Sequence, residues 1–449
     1  MSTTDKQLKL GLFIQSTGHH AAAWRHPGSA TGQSHNVKYY QQLAKDAERG
    51  KFDLIFLADD LAVPLPFKSA LTDRYGKLEP LTLLSNLAAV TEHIGLAATM
   101  STTFNEPFHA ARKFASLDHI SDGRAAWNVV TSALNDEAYN FGQEKILDHE
   151  LRYDRADEFV QVVKGLWDSW DEDAVGANKE SGQYFDADKV HVLNHKGPFF
   201  SVRGPLNVAR PVQGRPVLIQ AGSSETGQQF ASKNADIVFT VQNDLGKAKH
   251  YYSQVKQKAE SQGRSADDIK IMPGLFPIIA DTIEEAEANY QQLQDLVDRH
   301  IGTALLGGVF DNIDLSGYAD DELFPELQDA QGTRSRFQLV METARREGLT
   351  VREVYLRFAS ARGHLTVIGT AEQIADLMEL WLREEAADGF NIMPPYMPGG
   401  LNDFVDKVIP ILQQRGLFRT EYLGHTLRDH LGLARPASRY DKVANGAEG

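Results

Sequence analysis

Short, nearly unbroken apolar runs recur along this chain, separated by longer stretches in which apolar residues return with helical spacing. The runs are LKLGLFI (8–14), DLIFLA (53–58), IGLAATM (94–100), AAWNVV (125–130), PVLIQAG (216–222), DIVFTV (236–241), IKIMPGL (269–275) and GFNIMP (389–394). They predict eight strands. Between them, amphipathic segments such as VKYYQQLAKDAERG, PLTLLSNLAAVTEH, PFHAARKFASLDHIS, DRADEFVQVVKGLWDSW, SETGQQFASKNA and TAEQIADLMELWLREEAADG predict helices. Several of these open on Ser, Thr or Asp or close on Gly. Strands apolar on both faces need cover on both faces, so strict βα alternation means a parallel sheet wrapped in helices. Eight such units favour a (β/α)8 barrel over an open doubly wound sheet. A bare barrel takes about 250 residues. The rest of the 449 residues must be insertions, and the alternation lapses at about 60–79, 133–150, 172–214 and 300–368. No linker rich in Pro, Gly or Ser divides the chain, so residues 1–449 read as a single domain.

Composition narrows the function classes. Hydrophobic residues make up 42% of the chain, enough for a large core. A formal net charge of -15 works against nucleic acid and anionic membrane as partners and leaves small molecules and proteins. With no cysteine, disulfides, thiolate catalysis and cysteine-ligated metals are excluded. The N-terminus MSTTDKQLKLGLF has no signal core and no run reaches membrane-spanning length, so a cytoplasmic location is expected.

Candidate chemistry gathers where the strands end, as a barrel of this kind requires. After the first strand come His19 and His20; after the second, Asp59 and Asp60; after the third, Ser101, Thr102 and Thr103; around the fourth, Asn128, Thr131 and Ser132; after the fifth, Ser223 and Ser224. Each taken alone also suits an ordinary cap or turn. In AGSSETGQQ the chain passes from strand to helix through Gly222, Ser223 and Ser224, where backbone N–H groups and the helix dipole favour a phosphate or a serine simply caps the helix. The glycine spacing is that of a Walker loop, but Gln228 and Gln229 stand where such a loop needs Lys and Ser or Thr. This favours holding a phosphate over hydrolysing a nucleotide. In LDHELRYDRADEF, His149 and Tyr153 are four residues apart and share one face of a helix; they suit a phosphate, or the stretch is a solvated helix start.

Other chemistries lack their residues. His19 and His20 are adjacent and so point to opposite sides of a strand, unlike a His-x-His metal pair, and no His-Glu-x-x-His occurs. No metal is expected. Neither a Gly-x-Ser-x-Gly elbow nor a Gly-x-Gly-x-x-Gly dinucleotide fingerprint is present.

The runs LKLGLFIQSTGHHAAAWRHP, ERGKFDLIFLADDLA, TEHIGLAATMSTTFNEPFHAARKFASLDHISDGRAAWNVVTS, HELRYDRADEFVQVVKGLWDSW, AADGFNIMPPYMPG and QQRGLFRTEYLGHTLRDHLG resemble the nitrilotriacetate and dibenzothiophene sulfone monooxygenase branch of the bacterial-luciferase-like flavin monooxygenases. The resemblance runs from about residue 8 to about residue 435. It implies a luciferase-like (β/α)8 barrel that uses reduced FMN and O2, with FMN delivered by a separate NAD(P)H-dependent flavin reductase. It further implies an FMNH2-dependent oxidation of a small sulfur- or nitrogen-containing compound that breaks a C–S or C–N bond, and a homodimer or tetramer. Carried onto matching positions, it makes Asp59, Thr103, His149, Tyr153 and Ser223 flavin contacts, with Ser224 and Asn128 close by. His20 aligns with the pattern Gly-x-His-x-x-x-Trp-Arg and becomes the expected group for proton transfer or peroxide stabilisation. The competing expectations are F420-dependent hydride transfer on the same fold and a flavin-binding protein without turnover.

Overall fold

The computed structural model describes residues 6–63, 72–222, 224–309, 315, 317–327 and 334–441. All eight apolar runs are strands: β1 Lys9–Phe13, β2 Leu54–Leu57, β3 Gly95–Ser101, β4 Ala125–Val130, β5 Val217–Ala221, β6 Ile237–Thr240, β7 Lys270–Ile279 and β8 Gly389–Ile392. They pair in chain order, all parallel, and β8 returns to β1 with Phe390 opposite Leu10, so the sheet closes into a barrel. At the seam, Gly389 lies so near β1 that an added Cβ would overlap the Lys9 carbonyl. Only glycine permits that approach.

Alternation sorts the strand residues. On β4, Ala126 joins the inner cluster with Phe13, Leu54, Phe56, Ala97 and Ile219, while Trp127 points outward. There it packs 5.4 Å from the Phe114 ring, and its Nε1 donates to the Met100 carbonyl at 3.1 Å. The outer helices bury one face each. Helix Ala371–Arg383 turns Ile374, Ala375, Met378, Trp381 and Leu382 inward and starts in a capping box between Thr370 and Gln373.

The main sheet has one strand beyond the eight apolar runs. Leu365–Gly369 pairs parallel with β7, with Leu365 opposite Leu275, whereas the sequence reading left these residues mostly in the 300–368 insertion. LTVIG is short and broken by a threonine, and it directly follows the helix Val351–Ala361, so it carries no separate apolar signal. The remainder of that region forms helices Arg299–Val309 and Arg334–Glu347, which pack with Val351–Ala361 into a satellite core that also takes in Ala22 from the β1 loop. The 172–214 stretch carries a two-stranded hairpin, His195–Lys196 with Ser201–Val202. Among the described residues, no helix is long and apolar enough to cross a membrane.

The amino-terminal end of the barrel is clasped by aspartates. Asp53 accepts Leu10 N–H at 2.6 Å, Asp118 accepts Ala125 N–H at 3.2 Å, Asp236 accepts Leu218 N–H at 2.8 Å and Asp388 accepts Ile271 N–H at 2.8 Å. Three also meet a cation: Asp53 with Arg419, Asp236 with Arg428 at 2.9 Å, and Asp388 with Lys256 at 2.9 Å. Asp118 is held instead by Gln213, and burial pushes its carboxyl up to about 6. Two stretches within the runs that carry the resemblance serve this end. In SDGRAAWNVVTS, the Arg124 guanidinium donates to the carbonyls of Ser121, Ala88, Thr91 and Ile94; in FRTEYLGHTLRDHLG lie Arg419 and Arg428.

Candidate active site

β5 passes through Gly222 into helix Glu225–Asn234, whose N-cap Ser224 accepts Gly227 N–H at 3.1 Å. Ser223 lies outside the described residues. The Tyr153 hydroxyl hydrogen-bonds Ser224, and burial raises its pKa. Its ring lies 4.9 Å from His149 and edge-on to Phe230 at 5.8 Å. A Cβ at Gly227 would stand 3.2 Å from the Tyr153 hydroxyl, so a glycine there keeps the corner open. Two stretches considered separately in sequence thus meet in one place. Hydroxyls, an imidazole and the positive end of a helix make a fitting cradle for a phosphate.

The ends of β3 and β4 form the next wall. Thr103 donates to the Thr131 carbonyl at 2.6 Å, and Ser132 donates to Ser101 at 2.9 Å. From the helix His149–Trp167, Arg152 and Arg155 donate to the carbonyls of Ser132 and Thr102 and lock the helix to both strand ends. Asn128 points into the barrel, where its Nδ2 donates to Thr99 at 2.8 Å. Its Oδ1 is buried without a hydrogen-bond partner among the described residues. Such an acceptor normally carries a cost of about 1–3 kcal/mol unless a ligand donor meets it. Asp59, after β2, is raised to about 6 by burial, against the pull of Lys77.

The β1 loop carries both adjacent histidines. Gly18 has φ +124° where an added Cβ would overlap the Tyr396 backbone, and the next two amides donate to the carbonyls of Pro394 and Pro395 at 2.9 and 3.1 Å. The His19 ring stands edge-on to Phe13 at 4.4 Å, its Nε2 2.9 Å from the Phe13 carbonyl and its Nδ1 2.8 Å from the Arg362 guanidinium. Burial and that guanidinium hold it well below the ordinary histidine range. His20 faces the other way. Its Nδ1 accepts Ala22 N–H at 3.2 Å, and its Nε2 lies 3.3 Å from Gln294 Oε1. Gln294 donates to the Tyr290 hydroxyl at 2.6 Å, which lies 2.9 Å from Ser360. Burial brings His20 down to about 4. The ring named from sequence for proton handling is therefore engaged by its own loop at one nitrogen and by an outer helix at the other, and its neighbour meets the barrel interior.

Below these loops, Phe13, Phe56 and Phe239 meet edge-on or tilted as an aromatic floor with centroids 5.0–5.7 Å apart, and His364 lies flat on Phe239 at 5.1 Å. Sequence reasoning did not name Arg362, Lys77 or His364 as site residues. They sit in insertions with no periodic signal, although for His19 the alternation of side chains along a strand was already a guide. Among the described residues, no three of His, Asp and Glu are grouped to hold a metal ion.

A barrel with a phosphate cradle between β4 and β5 and polar strand ends over an aromatic floor is the framework of a cofactor-dependent oxidoreductase. The chain belongs to the luciferase-like monooxygenase family, whose model matches residues 16–388, and it is a flavin-dependent monooxygenase. It is 54% identical over 444 residues to N-acetyl-S-(2-succino)cysteine monooxygenase of Bacillus subtilis (strain 168), covering 98% of this chain and 100% of that protein. It is 48% identical over 448 residues to nitrilotriacetate monooxygenase component A of Aminobacter aminovorans, covering 98% and 99%. The crystal structure of DmoA from Hyphomicrobium sulfonivorans superposes with a TM-score of 0.88 at 33% identity, covering 99% of this chain and 97% of that one.

Proposed function

We propose that this protein is the oxygenase of a two-component system: it takes reduced FMN from a separate reductase and uses O2 to oxidise a small sulfur- or nitrogen-containing compound with cleavage of a C–S or C–N bond. The observation that carries this reading is the convergence of His149, Tyr153 and Ser224 at the start of helix Glu225–Asn234. The relative named as component A of its enzyme supports the two-component arrangement.

In this reading Tyr153, Ser224, Ser223 and His149 hold the FMN phosphate, while Asp59, Thr103 and Asn128 line the path of the ring system. Bound reduced FMN supplies the electrons that activate O2. Thr103 and Asn128 orient the ring, and the floor of Phe13, Phe56 and Phe239 keeps water from the reacting centre. Proton handling belongs to the His19–His20 pair. His19 is the ring at the barrel interior; His20 anchors the loop that presents it. Both are held neutral near pH 7, so each is suited to hold or pass a proton rather than to carry a standing charge.

The test is reconstitution. Purified protein with FMN and NADH should consume no NADH, and addition of a flavin reductase should start loss of a sulfur or nitrogen compound, followed by mass spectrometry. Robust NADH oxidation by the protein alone would overturn the two-component reading.

A further inference from the structure

Ser132, two residues past β4, has φ 55°, a left-handed backbone that a side chain with a Cβ adopts only at a cost. Three contacts hold it there. Thr103 donates to the preceding carbonyl, that of Thr131, at 2.6 Å; Arg152 donates to the carbonyl of Ser132 itself; and Glu137 accepts the next amide, Ala133 N–H, at 3.4 Å. This conformation delivers the Ser132 hydroxyl to β3, where it donates to Ser101 Oγ at 2.9 Å. The Thr103 amide donates to the same oxygen at 3.1 Å. A hydroxyl has two lone pairs and one proton. Both lone pairs of Ser101 are taken, so its proton is left to donate, and among the described residues nothing accepts it.

Ser101 is 4% exposed, and alternation along β3 from Ala97 of the inner cluster turns it into the barrel. Its neighbour on β4 is opposite in kind. Asn128 is anchored through Nδ2 on Thr99, and its Oδ1 is a buried acceptor that meets no donor among the described residues. Thr99 pairs with Asn128 across the two strands, and Ser101 stands one inward step further along β3. Adjacent strands thus bring one fixed donor and one fixed acceptor to the same wall. Such a pair suits a flat edge that offers C=O beside N–H.

We propose that Ser101 contacts the cofactor ring, donating to the flavin's C2 carbonyl while Asn128 Oδ1 accepts the adjacent N3–H, and that Ser132 is a positioning residue that aims the Ser101 proton. This rests on the flavin reading above and names how that site orients the ring. Reduced FMN carries a negative charge that its C2 carbonyl shares, so a donor fixed there favours the reduced over the oxidised form. The helix His149–Trp167 supplies Arg152 as well as His149 and Tyr153, so one element sets both the phosphate grip and the ring donor.

The experiment titrates the protein anaerobically with chemically reduced FMN, and separately with oxidised FMN and oxidised 3-methyl-FMN, in which the N3–H is blocked. Ser101→Ala should weaken reduced FMN by about ten- to a hundredfold and oxidised FMN by only about threefold. Ser101→Thr keeps the hydroxyl and should restore most of the difference. Ser132→Gly accepts the left-handed backbone freely and removes only the hydroxyl, so it should show a smaller loss of the same sign with no fall in the urea midpoint. Wild type should bind 3-methyl-FMN less well than FMN, and Asn128→Ala should narrow that gap. This last comparison needs no Ser101 variant and decides even where Ser101→Ala does not fold. Reduced and oxidised FMN weakened equally by Ser101→Ala, neither weakened, or FMN and 3-methyl-FMN bound alike by wild type would overturn the assignment and leave the flavin reading standing. A wild-type protein that binds no flavin would overturn both.

Discussion

The two ends of the barrel use charge in opposite ways. At the amino-terminal end, carboxylates are spent on closure: Asp53, Asp236 and Asp388 each take a strand amide and a cation, and Asp118 takes a strand amide and Gln213. At the carboxyl end, polar groups are held away from their ordinary states: Asp59 is raised to about 6, Lys77 is pushed down by burial, two histidines are driven neutral, and Asn128 Oδ1 has no partner among the described residues. Perturbed groups converging on a cavity mouth mark function, whereas groups held in strand-amide clasps, the perturbed Asp118 among them, mark structure. Substitutions at the two ends should therefore fail differently.

The sharpest contrast lies within one end, between the two histidines. His19→Ala should keep reduced FMN bound and lose about 10²–10⁴-fold in product formed per reduced flavin, with hydrogen peroxide released instead. His20→Ala should lower stability and leave coupling less affected. Wild-type coupling in His19→Ala would remove it from the reaction. At the opposite end, Asp53→Ala strands the buried Arg419 and should cost about 3–5 kcal/mol in urea unfolding, while the folded protein keeps its FMN affinity. A loss of FMN affinity with unchanged stability would reverse the assignment of the two ends. Tyr153→Phe should do the converse of Asp53→Ala, weakening FMN by about 1.5–3 kcal/mol in fluorescence titration with little change in the urea midpoint.

The smallest effect is one of pH and touches both ends. His20 and His430 are each lowered to about 4 by burial. Between that value and the unfolded value of about 6.5, the unfolded chain binds a proton that the folded chain refuses, so stability is full above the window and falls as pH drops through it. The slope is at most about 1.4 kcal/mol per pH unit for each group. Urea midpoints measured from pH 7 to pH 5 should fall, and His20→Gln should flatten part of the trend.

Apolar runs placed all eight barrel strands because a strand buried on both faces must be apolar along its length. The family was legible for a different reason. Two stretches within the runs that carry the resemblance, SDGRAAWNVVTS and FRTEYLGHTLRDHLG, build the clasped end, where Arg124, Arg419 and Arg428 have several partners each. Tyr153 and Ser224 were legible because a helix start has known chemistry. Arg362 and Lys77 were not, since a cation in an insertion looks like any solvated residue until the fold carries it to the mouth. That His19 and His20 face opposite ways follows from their adjacency, but which ring faces inward was not legible, because the loop's backbone bonds to Pro394 and Pro395 decide it.

The clasps also set an order in time. Asp53 and Asp236 enter the chain early and in its middle, but the arginines that neutralise them, Arg419 and Arg428, come after all eight strands. A chain emerging from the ribosome can pair its strands before then, yet Asp53 lacks Arg419, and Asp236 has only the more distant Arg264, until this late segment arrives and laces β2 and β6 together from beneath. Release of a ribosome stalled before Arg419 should yield a barrel that chaperones still recognise as unfinished.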